Sequence, residues 1–273
     1  MDTRIARELI ALNNRFYRDN AQSFSQTRQA PWQGWGRVMG YAREMLPVEA
    51  LRGERLLRVL DLACGNMRLA SFLARELPDA RIAYTGVDAS EDLAGHAVGT
   101  PQGPGTLDER FIACDVLGQL LQGQPVLGTS PVAPGYDLVC CFGFLHHVPG
   151  AKLRHALMLE LCKLVCPGGI VAASFWQFMH DDRLAKKAQA TTAQACEHPP
   201  FHGFCADELE PGDNVLGWQD TSNSYRYCHS FEEQELDELA EAAASHGTRE
   251  IARFSADGKS GALNRYLLVE RIR

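Results

Sequence analysis

The sequence predicts a three-layer α/β sandwich around a seven-stranded, mostly parallel sheet, and three observations carry the prediction. From residue 56 onward, apolar runs of strand length alternate with helical patterns, as βα units of a parallel sheet require. One run, Tyr136–Phe142 (YDLVCCF), is apolar almost throughout, as a strand covered on both faces should be. The chain closes on two strand-like runs, 249–256 and 264–271, around the turn Asp257–Gly261. They read as an antiparallel hairpin.

The elements follow in order. Residues 1–55 stand before the alternation and read as a helical extension, with Ile5, Leu9, Leu12 and Phe16 on one face of an amphipathic helix. Leu56–Leu62 is the first strand. Gly65 and Asn66 turn the chain, and Arg68–Leu77 is the helix that leaves. Ile82–Val87 is the second strand, Glu91–Val98 a short helix and Glu109–Cys114 the third strand. Residues 118–135, rich in Gly, Pro and Gln, read as a loop or poorly ordered helix. Tyr136–Phe142 is the fourth strand. Lys152–Val165 is a helix with Leu153, Leu157, Leu161 and Leu164 at apolar spacing, closed by Pro167-Gly168-Gly169. Ile170–Trp176 is the fifth strand. Residues 177–228 are polar and aperiodic, and read as an insertion serving as a substrate or lid segment. Phe231–Ala244 is the last helix. One domain over 56–271, interrupted by 177–228, accounts for the chain beyond its extension.

Composition sets the bounds. No apolar stretch approaches the roughly 18 residues of a membrane span, and the N-terminal residues lack the apolar core of a signal peptide. A cytoplasmic location is expected. The nine cysteines are odd in number, several sit in apolar strands, and no CxxC pair occurs. Reduced thiols fit better than a disulfide framework. No metal is expected, because Cys162 and Cys166 read as apolar positions of one helix. The net charge of −7 is unevenly spread. Residues 1–58 hold ten Arg and six acids, residues 197–241 twelve acids and one Arg, and residues 242–273 six bases and three acids. A basic terminal lobe could meet phosphate; solvated helix faces account for the same pattern equally well.

The segment Leu60–Asn66 (LDLACGN) ends a strand, turns on Gly65 and opens a helix. Gly lets a backbone approach a ligand closely, so this is a cradle for a nucleotide-type cofactor. Asp88 ends the second strand, where a carboxylate can accept from both ribose hydroxyls of an adenosine. Asp115 follows the third strand and could meet the adenine amino group, with Val116 supplying a backbone N–H. Cys141, Phe142 and Gly143 would line the floor near the reacting group. A dinucleotide site would want a further Gly near position 70 for the pyrophosphate; the chain has Leu69 and Ala70. That absence, the acid after strand three and the closing hairpin favour S-adenosylmethionine over a nicotinamide cofactor.

Together these features resemble the class I S-adenosylmethionine-dependent methyltransferases, whose fold is a Rossmann-like version of the sandwich predicted above. A narrower resemblance rests on Phe24–Trp32 (FSQTRQAPW), Leu145–His147 (LHH), Tyr225–His229 (YRYCH) and Asn264–Tyr266 (NRY). These look like the eukaryotic-type tRNA wobble-uridine carboxymethyl methyltransferases. That resemblance implies a tRNA substrate, whose 5-carboxymethyluridine becomes a methyl ester. It also implies a possible partner, a small zinc-containing activator protein. The sequence departs from the family at Ala63 and Met67, where glycines are usual; Ala63 costs little if its φ is negative. Two other classes stay open: a small-molecule carboxyl or N-methyltransferase, and a non-catalytic cofactor-binding subunit.

Roles can be assigned on that basis. Ala63, Gly65, Asn66, Asp88, Ala89, Asp115, Val116, Cys141 and Phe142 would surround the cofactor. Asp61 would hold its ammonium through water, or only end the strand. Arg28 would pair with the cofactor carboxylate or with the substrate. His146 and Arg226 are the candidate catalytic groups: Arg226 would bind a carboxylate acceptor, which needs no base, or be a surface charge, and His146 would be a donor or base, or pack against a turn. Trp32 could cover the cofactor or stack a base. His147, Tyr225 and Tyr227 are candidate substrate contacts, although alternating aromatics also mark a buried strand face.

Overall fold

The computed structural model describes residues 1–95, 107–127, 135–218 and 224–272. The N-terminal extension forms α1 (Thr3–Gln26), α2 (Gln33–Met45) and α3 (Val48–Leu51). The Asp2 carboxylate caps α1 by accepting the Arg4 N–H. Ile5, Leu9, Leu12 and Phe16 are all buried, as their spacing predicts. The alternating part then runs β1 (Leu56–Leu62), α4 (Arg68–Glu76), β2 (Arg81–Asp88), α5 (Glu91–Ala94), β3 (Leu107–Ala113), α6 (Val116–Leu121), β4 (Tyr136–Cys141), α7 (Ala151–Leu164) and β5 (Val165–Trp176). The chain continues through α8 (Asp182–Glu197), β6 (Asp213–Gly217), β7 (Tyr225–His229), α9 (Glu233–Ala244), β8 (Thr248–Ala256) and β9 (Asn264–Arg271).

The main sheet has seven strands in the order β3-β2-β1-β4-β5-β9-β8. Only β9 runs against the others: it pairs antiparallel with both β5 and β8. The expected closing hairpin is therefore present, with its second strand inserted beside β5. Strand order reverses between β1 and β4, and ligands in such sheets enter at the carboxyl ends around that point.

Period-two alternation divides the core. Leu60, Leu62, Val139, Cys141, Val171 and Phe175 face one apolar layer with Leu157, Leu161 and Leu236. Leu57, Val59, Leu138, Cys140, Phe142 and Leu268 face the other, with Trp35, Val38, Leu69 and Leu73. The two faces together complete the three layers.

Several expected boundaries move. The third strand starts earlier, at Leu107, and of the short helix only Glu91–Ala94 is seen, residues 96–98 lying outside the described residues. Part of 118–135 is ordered helix, since Asp115 caps α6 by accepting the Gly118 N–H at 3.0 Å; residues 128–134 lie outside the described residues. Cys166 stands in β5 rather than on the helix with Cys162.

The insertion is the largest departure from expectation. Within 177–229 lie α8 and a two-stranded antiparallel ribbon, β6–β7, residues 219–223 lying outside the described residues. Its alternation is masked in the sequence because both faces are covered, one by α1 and the other by Phe178 and Leu184. A buried polar network pins the ribbon to the domain. His229 Nδ1 lies 2.7 Å from Asp213, and its Nε2 lies 2.8 Å from Glu235 at the start of α9. Arg154 of α7 bridges Glu210 and Glu235. Burial works against the His229 charge, yet the two carboxylates hold its pKa above the ordinary value.

The cofactor-type turn is strained. Ala63 has φ 61° and Met67 has φ 53°, so Ala63 does not have the negative φ under which it would cost little. A side chain in the left-handed region costs about 1–2 kcal/mol. Met67 offsets part of this by burying its side chain in the α2–α4 layer, so it does not crowd the site. The two positions should therefore separate on mutation. Ala63→Gly is expected to raise the melting temperature by about 2–4 °C, corresponding to about 1 kcal/mol, whereas Met67→Gly should lower it. Calorimetry of the two variants checks both signs.

Candidate active site

The carboxyl ends of β1, β2 and β4 open on a cleft of about 770 Å³, roofed by the N-terminal extension and the insertion. Its first wall is the turn after β1. Gly65 lies at φ 53°, and a Cβ built there would meet nothing within 4 Å, so the turn presents open backbone. Its N–H donates to Asp88 Oδ2 at 2.9 Å, and the Ser90 N–H donates to Oδ1 at the same distance. Burial raises the Asp88 pKa, and those N–H donors partly restore its charge.

Asn66 does not face the cleft freely. Its amide donates to Ser25 Oγ at 3.1 Å and to the Arg28 carbonyl at 3.0 Å. Arg68 adds a bond to the Ala30 carbonyl at 2.7 Å and lies against the rings of Trp32 and Trp35. The FSQTRQAPW segment is thus laced to the turn. Trp32 reaches across to Gly143, where a Cβ would stand 2.8 Å from its indole. Arg68 was not singled out from the sequence, where it is one more helix-surface arginine. Its burial lowers its pKa to about 10.

Asp61 is buried behind the turn and accepts the Tyr84 hydroxyl at 2.5 Å. Desolvation raises its pKa to about 7 despite that bond. Asp115 and the exposed Ala89 line the same end of the cleft. The Val116 N–H points to the Cys114 carbonyl at 3.1 Å, so it is not free for an adenine as expected. Cys141 also departs from expectation: strand alternation turns it into the opposite apolar layer, while Phe142 lines the cleft.

The other end of the cleft is basic and aromatic. Arg226 is 8% exposed, and among the described residues no carboxylate pairs with it. Its Nε and Nη1 have no hydrogen-bond partner. The guanidinium lies 5.0 Å from the Phe16 ring and 5.3 Å from that of Trp218. Arg28 stands nearby on the Phe24 ring, its own charge disfavoured by burial and by Arg226. Neighbours on β7 do the opposite of what was expected. Tyr225 and Tyr227 project from the other face of the strand, away from the cleft, and Tyr227 is fully buried with its hydroxyl on Asp213. Two side chains in register with Arg226 would share its face; these are one residue out.

His146 and His147 follow β4 on a short 3₁₀ turn. Burial drives both pKa values down, His147 to about 3, so both are neutral. His146 packs beside Trp176, and its Nδ1 is buried without a partner. His147 is engaged at both nitrogens, with the Tyr227 carbonyl at 2.9 Å and the Tyr17 hydroxyl at 2.6 Å. Tyr17 is a second cleft residue that sequence reading missed, since it belongs to an ordinary amphipathic helix. His146, His147 and Cys228 bring ligand-type atoms within 4.8 Å of one another, the one such group among the described residues. With both His147 nitrogens committed and Arg226 against the Cys228 thiol, it does not offer three free metal ligands.

Residues 60–171 match a family model described as a methyltransferase domain. No curated protein matches the sequence. Among solved structures, an S-adenosylmethionine-dependent methyltransferase from Methanosarcina mazei superposes with a TM-score of 0.53 at 17% identity, over 79% of this chain and 92% of its own. Magnesium protoporphyrin IX methyltransferase from Synechocystis, with bound S-adenosylhomocysteine, gives 0.53 at 17% identity, over 94% and 99% of the two chains. An S-adenosylmethionine-dependent methyltransferase from Clostridium acetobutylicum gives 0.53 at 12% identity, over 90% and 94%. At these identities the likeness is one of fold.

Asp61 makes a stability prediction. Its folded pKa, about 7, lies above the ordinary 3.8, so between those values the native state holds a proton that the unfolded state has lost. Stability contributed by this group is complete below about pH 4 and falls as pH rises through 7. Asp61→Asn should remove that slope. Melting curves from pH 4 to pH 8 should show the variant gaining on the wild type with rising pH.

Proposed function

We propose that this chain, a class I S-adenosylmethionine-dependent methyltransferase with S-adenosylmethionine as its cofactor, methylates the carboxylate of 5-carboxymethyluridine at the wobble position of a tRNA anticodon. The observation that carries the reading is Arg226, a buried guanidinium without a carboxylate partner at the basic end of the cleft. Burying an unpaired charge is costly, and a carboxylate acceptor supplies the missing counter-charge bidentately. The sequence motifs FSQTRQAPW, LHH and YRYCH support the RNA acceptor.

Residue roles follow from the cleft's polarity. Asp88 binds the ribose and Asp115 the adenine, while Gly65 and Ala63 let the backbone approach the methionine portion. Asp61 meets the ammonium. When bound, the cofactor supplies an electrophilic methyl group on its sulfonium. The acceptor carboxylate has an ordinary pKa near 4 and is ionised at neutral pH, so no general base is required. Arg226 binds and orients it, and Arg28 adds a second positive charge. Neutral His146 offers a hydrogen bond rather than a charge. Trp32, Phe24 and Trp176 line the cleft and exclude water, which strengthens those interactions. tRNA is the proposed macromolecular partner. A small zinc-containing activator protein would supply RNA affinity that a chain of net charge −7 lacks.

A small-molecule carboxylate is the second reading, favoured by the same Arg226, and one experiment separates the two. Radioactive methyl transfer into tRNA from cells lacking the ester-forming enzyme should give alkali-labile label in the tRNA. Alkali-stable label, or label only in small molecules, overturns the tRNA ester. In the same assay Arg226→Gln should lower kcat/KM by about 100-fold or more while leaving cofactor affinity unchanged by calorimetry.

A further inference from the structure

We infer that Tyr17 is a specificity-determining contact, presenting a hydroxyl that can only accept and thereby reading an N–H donor on the acceptor base. In a uridine the one such donor of the ring is N3–H. The inference rests on the uridine reading above and adds a base contact to its carboxylate contact.

The argument is a chain of proton assignments, each forced by its neighbour. The Tyr227 carbonyl, 2.9 Å from His147 Nδ1, can only accept, so Nδ1 carries the proton. His147 is neutral, since burial holds its pKa far below the ordinary value. Its Nε2 is therefore an acceptor. The Tyr17 hydroxyl, 2.6 Å away, must donate to it. Two other groups approach Nδ1, the Asn13 Nδ2 at 3.4 Å and the Cys228 Sγ at 3.7 Å, but both are more distant than the Tyr227 carbonyl. Asn13 is oriented by its Oδ1, which accepts the Tyr227 N–H at 2.7 Å, and its Nδ2 donates to the nearer Tyr227 carbonyl at 3.2 Å.

With its proton spent on His147, the hydroxyl has only lone pairs left for the cleft that Tyr17 lines. The ring is held edge-on by Phe16 and Phe24, each with centroids 5.1 Å away. Those two rings also carry Arg226 and Arg28. The obligate acceptor and the anion-binding arginines therefore share one aromatic frame. A base anchored by its 5-carboxymethyl group at Arg226 would lie beside Tyr17. The cation next door also makes an N–H donor more acceptable to Tyr17 than a second cation would be, so the contact selects a neutral base.

The test uses the full chain with S-adenosylhomocysteine and a fluorescent anticodon stem-loop RNA, read by anisotropy. Two acceptors are compared, one with 5-carboxymethyluridine and one with its N3-methyl derivative. The wild type should bind the unmethylated acceptor about tenfold or more tighter, because N3-methylation leaves the hydroxyl facing a methyl group. Tyr17→Phe should weaken the unmethylated acceptor and bring the ratio of affinities down at least fivefold, any steric cost of the methyl group cancelling in the cycle. His147→Gln is a second variant: its side-chain amide can turn either donor or acceptor to Tyr17, so the ratio should again fall. A ratio unchanged by Tyr17→Phe, with binding still lost in Arg226→Gln, overturns the Tyr17 contact and leaves the carboxylate reading standing. Failure of the wild type to bind either RNA overturns both.

Discussion

The Asp88 carboxylate accepts the Gly65 N–H across the carboxyl ends of β1 and β2. That bond holds the turn after β1 open, and the rest of the site is hung from the turn. The next residue, Asn66, gives both amide hydrogens to the N-terminal segment. The position of the extension is therefore set by the same turn that shapes the cradle. Trp32 and Arg68 follow from it, and Trp32 in turn fits only because Gly143 has no side chain. Strain at Ala63 and Met67 is the cost of this geometry. It is tolerated because hydrogen bonds and a buried methionine side chain over-determine the turn.

Charge is sorted along the cleft. Asp61, Asp88 and Asp115 gather at one end; Arg28 and Arg226 gather at the other. The aspartates keep internal donors, Tyr84 on Asp61 and Gly65 and Ser90 on Asp88, whereas Arg226 has no carboxylate partner, so its desolvation is the part that a ligand of opposite charge would recover. A ribose and an ammonium suit the acidic end. A carboxylate suits the basic end, and the proposed methylation would remove the charge that holds it there. Under the proposed reaction, the same site would bind its acid and release its ester.

Most of the sheet was legible because its strands keep period two and its helices keep period 3.6, and the order of Gly65, Asp88 and Asp115 followed from topology alone. What escaped was set by long-range pairing. The β6–β7 ribbon hides its pattern because α1, some 210 residues earlier, covers one face. Tyr225 and Tyr227 were expected in the cleft with Arg226, but neighbours along a strand point to opposite faces. Cys141 and Phe142 show the same effect. The φ of Ala63 could not be foreseen, since alanine gives no sign of a left-handed backbone. Tyr17 looked like any aromatic on a helix; its hydroxyl is oriented by a histidine 130 residues away.

The Asn13 amide also covers a strand edge. A two-stranded ribbon has two free edges, and free edges invite other strands. The Asn13 amide meets both the N–H and the carbonyl of Tyr227. It occupies, from a helix, the place a neighbouring strand would take. One side chain thus closes part of the β7 edge at the point where the ribbon faces the cleft. The protein can keep a short strand beside the cleft without leaving those backbone groups open to a second chain.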